Sequence, residues 1–170
     1  MIDSKTIDIG INVFNAETLV MGVGNFLMGD EGIGVHIAQA MEKMKLPPYL
    51  NALDGGTGGF FLMGYFDEYS HVIFVDATMD GQPAGTVTLT EPKFASDFPS
   101  ALSVHDVGLK DMIETLYFMG DVPKMYLITI SIKEMIPMYV GLSPEVESSI
   151  PEVIDKILKL ATEIHKWHNK

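Results

Sequence analysis

The stretch HVIFVDAT, residues 71–78, restricts the fold more than any other: it is a near-continuous apolar run, rich in β-branched residues and closed by an acid. A strand of that composition belongs in the middle of a sheet with both faces covered. The flanking segments supply the cover. TLVMGVG, 18–24, reads as a strand, and EGIGVHIAQAMEKMKL, 31–46, as a helix with Ile33, Ile37, Met41 and Met44 at helical spacing, ended by Pro47-Pro48. YLNALDGG is a second strand stopping at Asp54, and GFFLMGYFDEY a short apolar helix. GTVTLTE, 85–91, alternates like an edge strand. VHDVGLKDMIETLYFM, up to Met119, predicts a helix with Leu109, Met112, Ile113 and Leu116 on one face, and Lys124 to Ile132 a strand. Ser143 is placed to cap the last helical region, and Ser149-Ile150-Pro151-Glu152 reads as a capping box restarting it, which leaves one kinked helix or two.

Strand–helix–strand–helix–strand order predicts an α/β fold with an open, mostly parallel sheet covered on both faces. In such sheets the site lies beyond the carboxyl ends of the strands, where the winding reverses. Three strand ends there carry acids: Asp30-Glu31, Asp54 and Asp76.

The 170 residues read as a single domain, 1–170, divided into an N-terminal arm (1–16) and a core (17–170). A net charge of −12 argues against nucleic acid as a partner. All eleven basic residues are lysines, so a planar bidentate clamp on phosphate or carboxylate is excluded. The absence of cysteine removes thiolate catalysis and thiolate metal sites. Neither a secretory leader nor an apolar run long enough to span a bilayer stands out, so the expected location is cytoplasmic, away from membranes.

GVGNFLMGDEGIGV, 22–35, has the outline of a phosphate-cradling glycine loop, but a dinucleotide fingerprint needs glycine where Leu27 stands. Asp30 and Glu31 sit where a pyrophosphate would dock and would repel it. Asp30 by itself reads as a complement to the helix dipole. Asp76 is costly to hold ionised at the end of so apolar a strand unless it is hydrogen-bonded, paired or bound to metal. Of the five histidines, His105 has the best setting for a ligand. Ser103 and Asp106 frame it as a first-turn residue, where the dipole disfavours imidazolium. His36 reads as surface, His71 opens a strand, and His165 and His168 lie in a polar tail. Glu31, Asp76 and His105 would offer two oxygens and one nitrogen, a set suited to a borderline divalent ion such as zinc or nickel with one position open. The methionines read as core fillers; for Met135 and Met138 a surface facing an apolar partner is the less favoured alternative.

Taken in order, GVGNFLMGDEGIGV, LDGGTGG (53–59), FVDAT (74–78), VHDVGL (104–109) and GLSPEVE (141–147) resemble the hydrogenase maturation endopeptidases. That family trims the C-terminal extension from the precursor of a nickel–iron hydrogenase large subunit. The resemblance runs from about Thr18 to the final helix. It implies a three-layer α/β/α fold with five strands in order 2-1-3-5-4, the fourth antiparallel. It places the family's metal-contacting residues on Glu31, Asp76 and His105, and a substrate-recognition loop on Asp54, Gly55 and Gly56. The implied metal is nickel supplied by the precursor, with zinc or cadmium as other occupants, and the implied partner is that precursor. DGGT has a superficial likeness to the aspartyl endopeptidase signature, but its residue order differs and it occurs once. Asp54 or Glu31 is a candidate general base. Two alternatives remain at the level of sequence: a metallopeptidase carrying its own zinc, and a non-catalytic checkpoint that binds nickel-loaded precursor without cutting it.

Overall fold

The structure, a computed structural model, describes residues 16–99, 109–120 and 122–169. Five strands form one sheet: β1 (Thr18–Val23), β2 (Leu50–Gly56), β3 (His71–Thr78), β4 (Val87–Thr90) and β5 (Lys124–Ser131). Their order is β2-β1-β3-β5-β4, with β4 alone antiparallel, as the resemblance implied. The helices are α1 (Ile33–Glu42), α2 (Leu109–Met119), α3 (Pro144–Glu147) and α4 (Ile150–His168).

Strand pleating sorts the apolar residues into two cores. Val20, Ile73, Val75, Ile128 and Ile130 face α1 and α4, where they meet Ile33, Ile37, Met41, Val153 and Ile157. Leu19, Met21, Val72, Phe74, Met125 and Leu127 face the opposite way and pack on Met112, Ile113 and Leu116 of α2 and on Leu62 and Phe66. The run 72–77 on β3 is buried throughout, which is why it reads as continuous and not alternating.

Some local expectations shift. β2 runs past Asp54 to Gly56 because its pairing with β1 continues through a register shift at Gly22/Val23. The segment after β2 is a 3-10 helix, Gly59–Tyr65, not an α-helix. Leu62 is its one buried residue, so it has no apolar stripe to hold a longer helix. The last region divides into two helices, α3 and α4. The Ser149 capping box does not form: its hydroxyl donates to the Val146 carbonyl (2.6 Å), inside the turn that joins them. Nor do His165 and His168 belong to a free tail. His165 Nδ1 lies 3.0 Å from Glu17 Oε2 and its ring stacks on Tyr49 at 4.1 Å. Among the described residues no helix is long and apolar enough to cross a membrane.

Candidate active site

The first glycine motif builds its turn through close backbone approach. β1 ends at Val23, and Gly24 follows with φ of 133°, a conformation open to glycine. A side chain at Gly24 would place its Cβ 2.2 Å from the Glu31 carbonyl oxygen. A Cβ on Gly34 would lie 2.2 Å from the Val75 carbonyl oxygen and 2.3 Å from that of Val23. Helix α1 therefore starts in direct contact with both β1 and β3, one residue short of Asp76. Asp30 and Glu31 do not enter α1; they lie in a 3-10 turn, Gly29–Gly32, that precedes it and packs against β3.

This packing buries the acids. Glu31 is 1% exposed and Asp76 is fully buried. The Asn25 backbone N–H donates to Glu31 Oε2, closing the loop over the carboxylate. Asp76 Oδ1 accepts the Ala77 N–H at 2.8 Å. By pleat parity Asp76 points to the α2 side of the sheet, with Thr129 of β5 as its register partner. One step further along the same face lie Thr78 and Ser131, also register partners and both buried; among the described residues neither hydroxyl meets a hydrogen-bond partner.

Two buried carboxylates on adjoining elements at the carboxyl ends of the sheet are oxygen donors suited to a hard or borderline divalent ion. Among the described residues, no three His, Cys, Asp or Glu side chains converge as a metal site. His105, the nitrogen donor expected from sequence, lies outside the described residues. It precedes the first residue of α2, Leu109, by four positions, and α2 packs on the face that Asp76 shares.

Asp54 is occupied with local structure. Its Oδ1 accepts the Gly56 N–H at 3.0 Å, and its Oδ2 accepts Gln39 Nε2–H at 2.8 Å. The first bond is an Asx turn, which supports Gly56 in its left-handed conformation (φ 48°). The Gly56 carbonyl in turn accepts the Gly24 N–H at 3.0 Å, tying the loops after β1 and β2 together.

Known proteins fit this architecture. A family model described as hydrogenase maturation protease matches residues 35–160. The hydrogenase 2 maturation protease of Escherichia coli K12 is 36% identical over 143 residues, which is 82% of this chain and 87% of that protein. The chain belongs to the hydrogenase maturation protease family. The solved structure of the hydrogenase maturating endopeptidase HybD from Escherichia coli superposes with a TM-score of 0.77 at 34% identity, covering 86% of this chain and 93% of that one. That of a hydrogenase 2 maturation peptidase from a Thaumarchaeota archaeon gives 0.67 at 29% identity, covering 85% and 97%.

Sequence reasoning missed two features of this maturation protease. Asp30 is not chiefly a dipole complement: its carboxylate accepts both the N–H and the hydroxyl of Ser143. Ser143 accordingly makes no side-chain cap to α3, although it occupies the cap position. His36 is half-buried, not a surface residue: its ring lies 4.7 Å from that of Phe26, and its Nε2 has no hydrogen-bond partner among the described residues. Burial pushes its pKa below the usual histidine value, against the opposing pull of Glu147 and Asp54. Neither feature has a local sequence signal, since both depend on segments that meet only in the fold.

Proposed function

We propose that this protease removes the C-terminal extension of a nickel–iron hydrogenase large-subunit precursor once nickel has been inserted. In this reading Glu31, Asp76 and His105 read the metal. The observation that carries it is the burial of both Glu31 and Asp76, on the turn and the strand that pack together at the carboxyl edge of the sheet, in a chain of the maturation protease family. Two desolvated carboxylates at one rim repel each other and gain strongly from a cation placed between them. The nickel arrives as part of the substrate, so a loaded precursor supplies that cation and an unloaded one does not.

The chain's own groups then divide the work. Glu31, fixed by the Asn25 N–H, and Asp76, fixed by the Ala77 N–H, offer oxygens whose direction is set before the substrate arrives. Asp54 holds the Gly55-Gly56 loop in shape, with both carboxylate oxygens already accepting hydrogen bonds. That fits substrate recognition better than proton transfer. The metal supplies charge stabilisation to the carbonyl or to the attacking water.

The test is cleavage of purified precursor, with and without nickel, by the wild type and by Glu31→Gln, Asp76→Asn and His105→Ala. Shortened product is expected only from nickel-loaded precursor. Each variant is expected to lose about a hundredfold or more in rate. Full processing of nickel-free precursor, or wild-type rates in all three variants, would contradict the reading. Thermal melts on the same samples establish that each variant is folded.

A further inference from the structure

We propose that Leu27, Ile136, Met138, Tyr139 and Val140 form the face on which an apolar stretch of the precursor docks beside the bond to be cut. This rests on the protease reading above and adds to it the part of the surface that selects the substrate.

The five side chains are 48%, 46%, 85%, 49% and 54% exposed, a concentration of apolar groups in two short segments. The segments are not loose. The Gly29 N–H donates to the Tyr139 carbonyl (2.9 Å), the Tyr139 N–H to Leu27 (3.1 Å) and the Ile136 N–H to Met28 (3.3 Å), with a parallel bridge between Met28 and Tyr139. The apolar groups are thus held outward by a paired backbone. Met138 is the most exposed of them, and among the described residues it is the one non-glycine with positive φ, 59°. A left-handed backbone disfavours a side-chain-bearing residue, and water disfavours an exposed methionine. Neither cost helps the fold, and strain of this kind gathers at working surfaces. Met135, by contrast, is partly buried against the α1/α4 core, so of the two methionines Met138 alone is a surface residue of this kind.

Two observations identify the occupant. The face is continuous with the candidate active site: Leu27 and Met28 lead directly into the turn that carries Asp30 and Glu31, and Asp30 holds Ser143, three residues past Val140. Charge supplies the second. Each copy of the chain carries −12, so a second copy is repelled. A polypeptide that brings a metal cation to buried acids and apolar side chains to their rim matches both parts of the surface.

The experiment is a binding titration of purified nickel-loaded large-subunit precursor against the wild type, Met138→Gly and Val140→Ser, with thermal melting, light scattering and cleavage kinetics on the same samples. Met138→Gly relaxes the backbone and removes the side chain together, so its melting temperature should hold while its Kd and KM rise about tenfold with kcat unchanged. Val140→Ser should move in the same direction, and it decides the matter if Met138→Gly melts lower. Unchanged Kd in both variants overturns the docking face, even where the wild type cleaves normally and the protease reading stands. Loss of self-association in place of precursor binding also overturns it. Precursor that binds through Met138 yet is never shortened leaves the docking face intact and refutes the protease reading.

Discussion

Asp30 and Ser143 lie 113 positions apart in sequence and share two short hydrogen bonds: Asp30 Oδ1 accepts the Ser143 N–H at 2.6 Å, and Oδ2 accepts its hydroxyl at 2.7 Å. The carboxylate is 8% exposed, so it forms charge-assisted bonds largely shielded from water. It joins the turn that holds Glu31 to the segment that enters α3, and so couples the candidate site to the helical layer behind it. Asp30→Ala strands the Ser143 N–H and should lower stability by about 2–3 kcal/mol, whereas Ser143→Ala, which keeps the N–H bond, should cost about 1 kcal/mol. Urea unfolding of both variants and the double variant checks this, and non-additivity in the cycle would show that the two residues act as a pair.

Gly34 sets how closely α1 approaches the sheet. An alanine there would push its Cβ to 2.2 Å from the Val75 carbonyl oxygen, and backbone on both strands leaves no room to yield. Gly34→Ala should cost about 3 kcal/mol and reduce cleavage, since lifting the helix moves the Glu31 turn away from β3. Gly64→Ala is the matched control. A Cβ there meets nothing within 4 Å, so its stability should equal or slightly exceed that of the wild type. Thermal melts of the two variants measured together settle the comparison.

The architecture was legible in the sequence because its central signals are local. HVIFVDAT occupies β3 from His71 to Thr78, residue for residue, since the apolar run Val72–Val75 needs cover on both faces and so marks a central strand. The placement of Glu31 and Asp76 at the carboxyl edge of the sheet follows from the same strand pattern, with Asp76 inside β3 and Glu31 in the turn between β1 and α1. The Asp30–Ser143 bonds were not, because a carboxylate beside a helix start looks the same whether it faces the dipole or a residue far along the chain. The burial of His36 against Phe26 depends on how the loop after β1 folds back, which periodicity within α1 does not encode.

Thr78 and Ser131 are adjacent across β3 and β5, and both hydroxyls are buried with no hydrogen-bond partner among the described residues. Such groups lower stability relative to apolar groups of the same shape. Thr78→Val should therefore raise stability by about 1 kcal/mol, while Thr78→Ser, which keeps the hydroxyl and removes a methyl group, should lower it by a similar amount. Opposite shifts in the urea midpoints of these variants are the expected result. A loss of stability in Thr78→Val would show that its hydroxyl is satisfied in solution.

His71 stands at the other end of the sheet, in a group with Glu17, Lys124, His165 and His168, and with Glu91 bonded to Lys124 at 2.9 Å. Burial lowers its pKa below 6.5, the positive charges of His168 and Lys124 lower it further, and Glu17 opposes them. The folded state then holds fewer protons on His71 than the unfolded chain does in the window just below pH 6.5. Stability from this group is fully present above the unfolded value and is lost as the pH falls through the lowered folded one. His36, also lowered, adds a contribution of the same sign. Carboxylates titrate lower down and contribute to any acid unfolding, so the informative quantity is a difference between proteins. His71→Phe keeps a ring beside Tyr126 and removes the titration. The variant should lose less stability than the wild type between pH 6.5 and pH 5 when urea midpoints are compared at each pH. Parallel curves would mean that His71 takes up its proton as readily in the folded protein as in the unfolded chain.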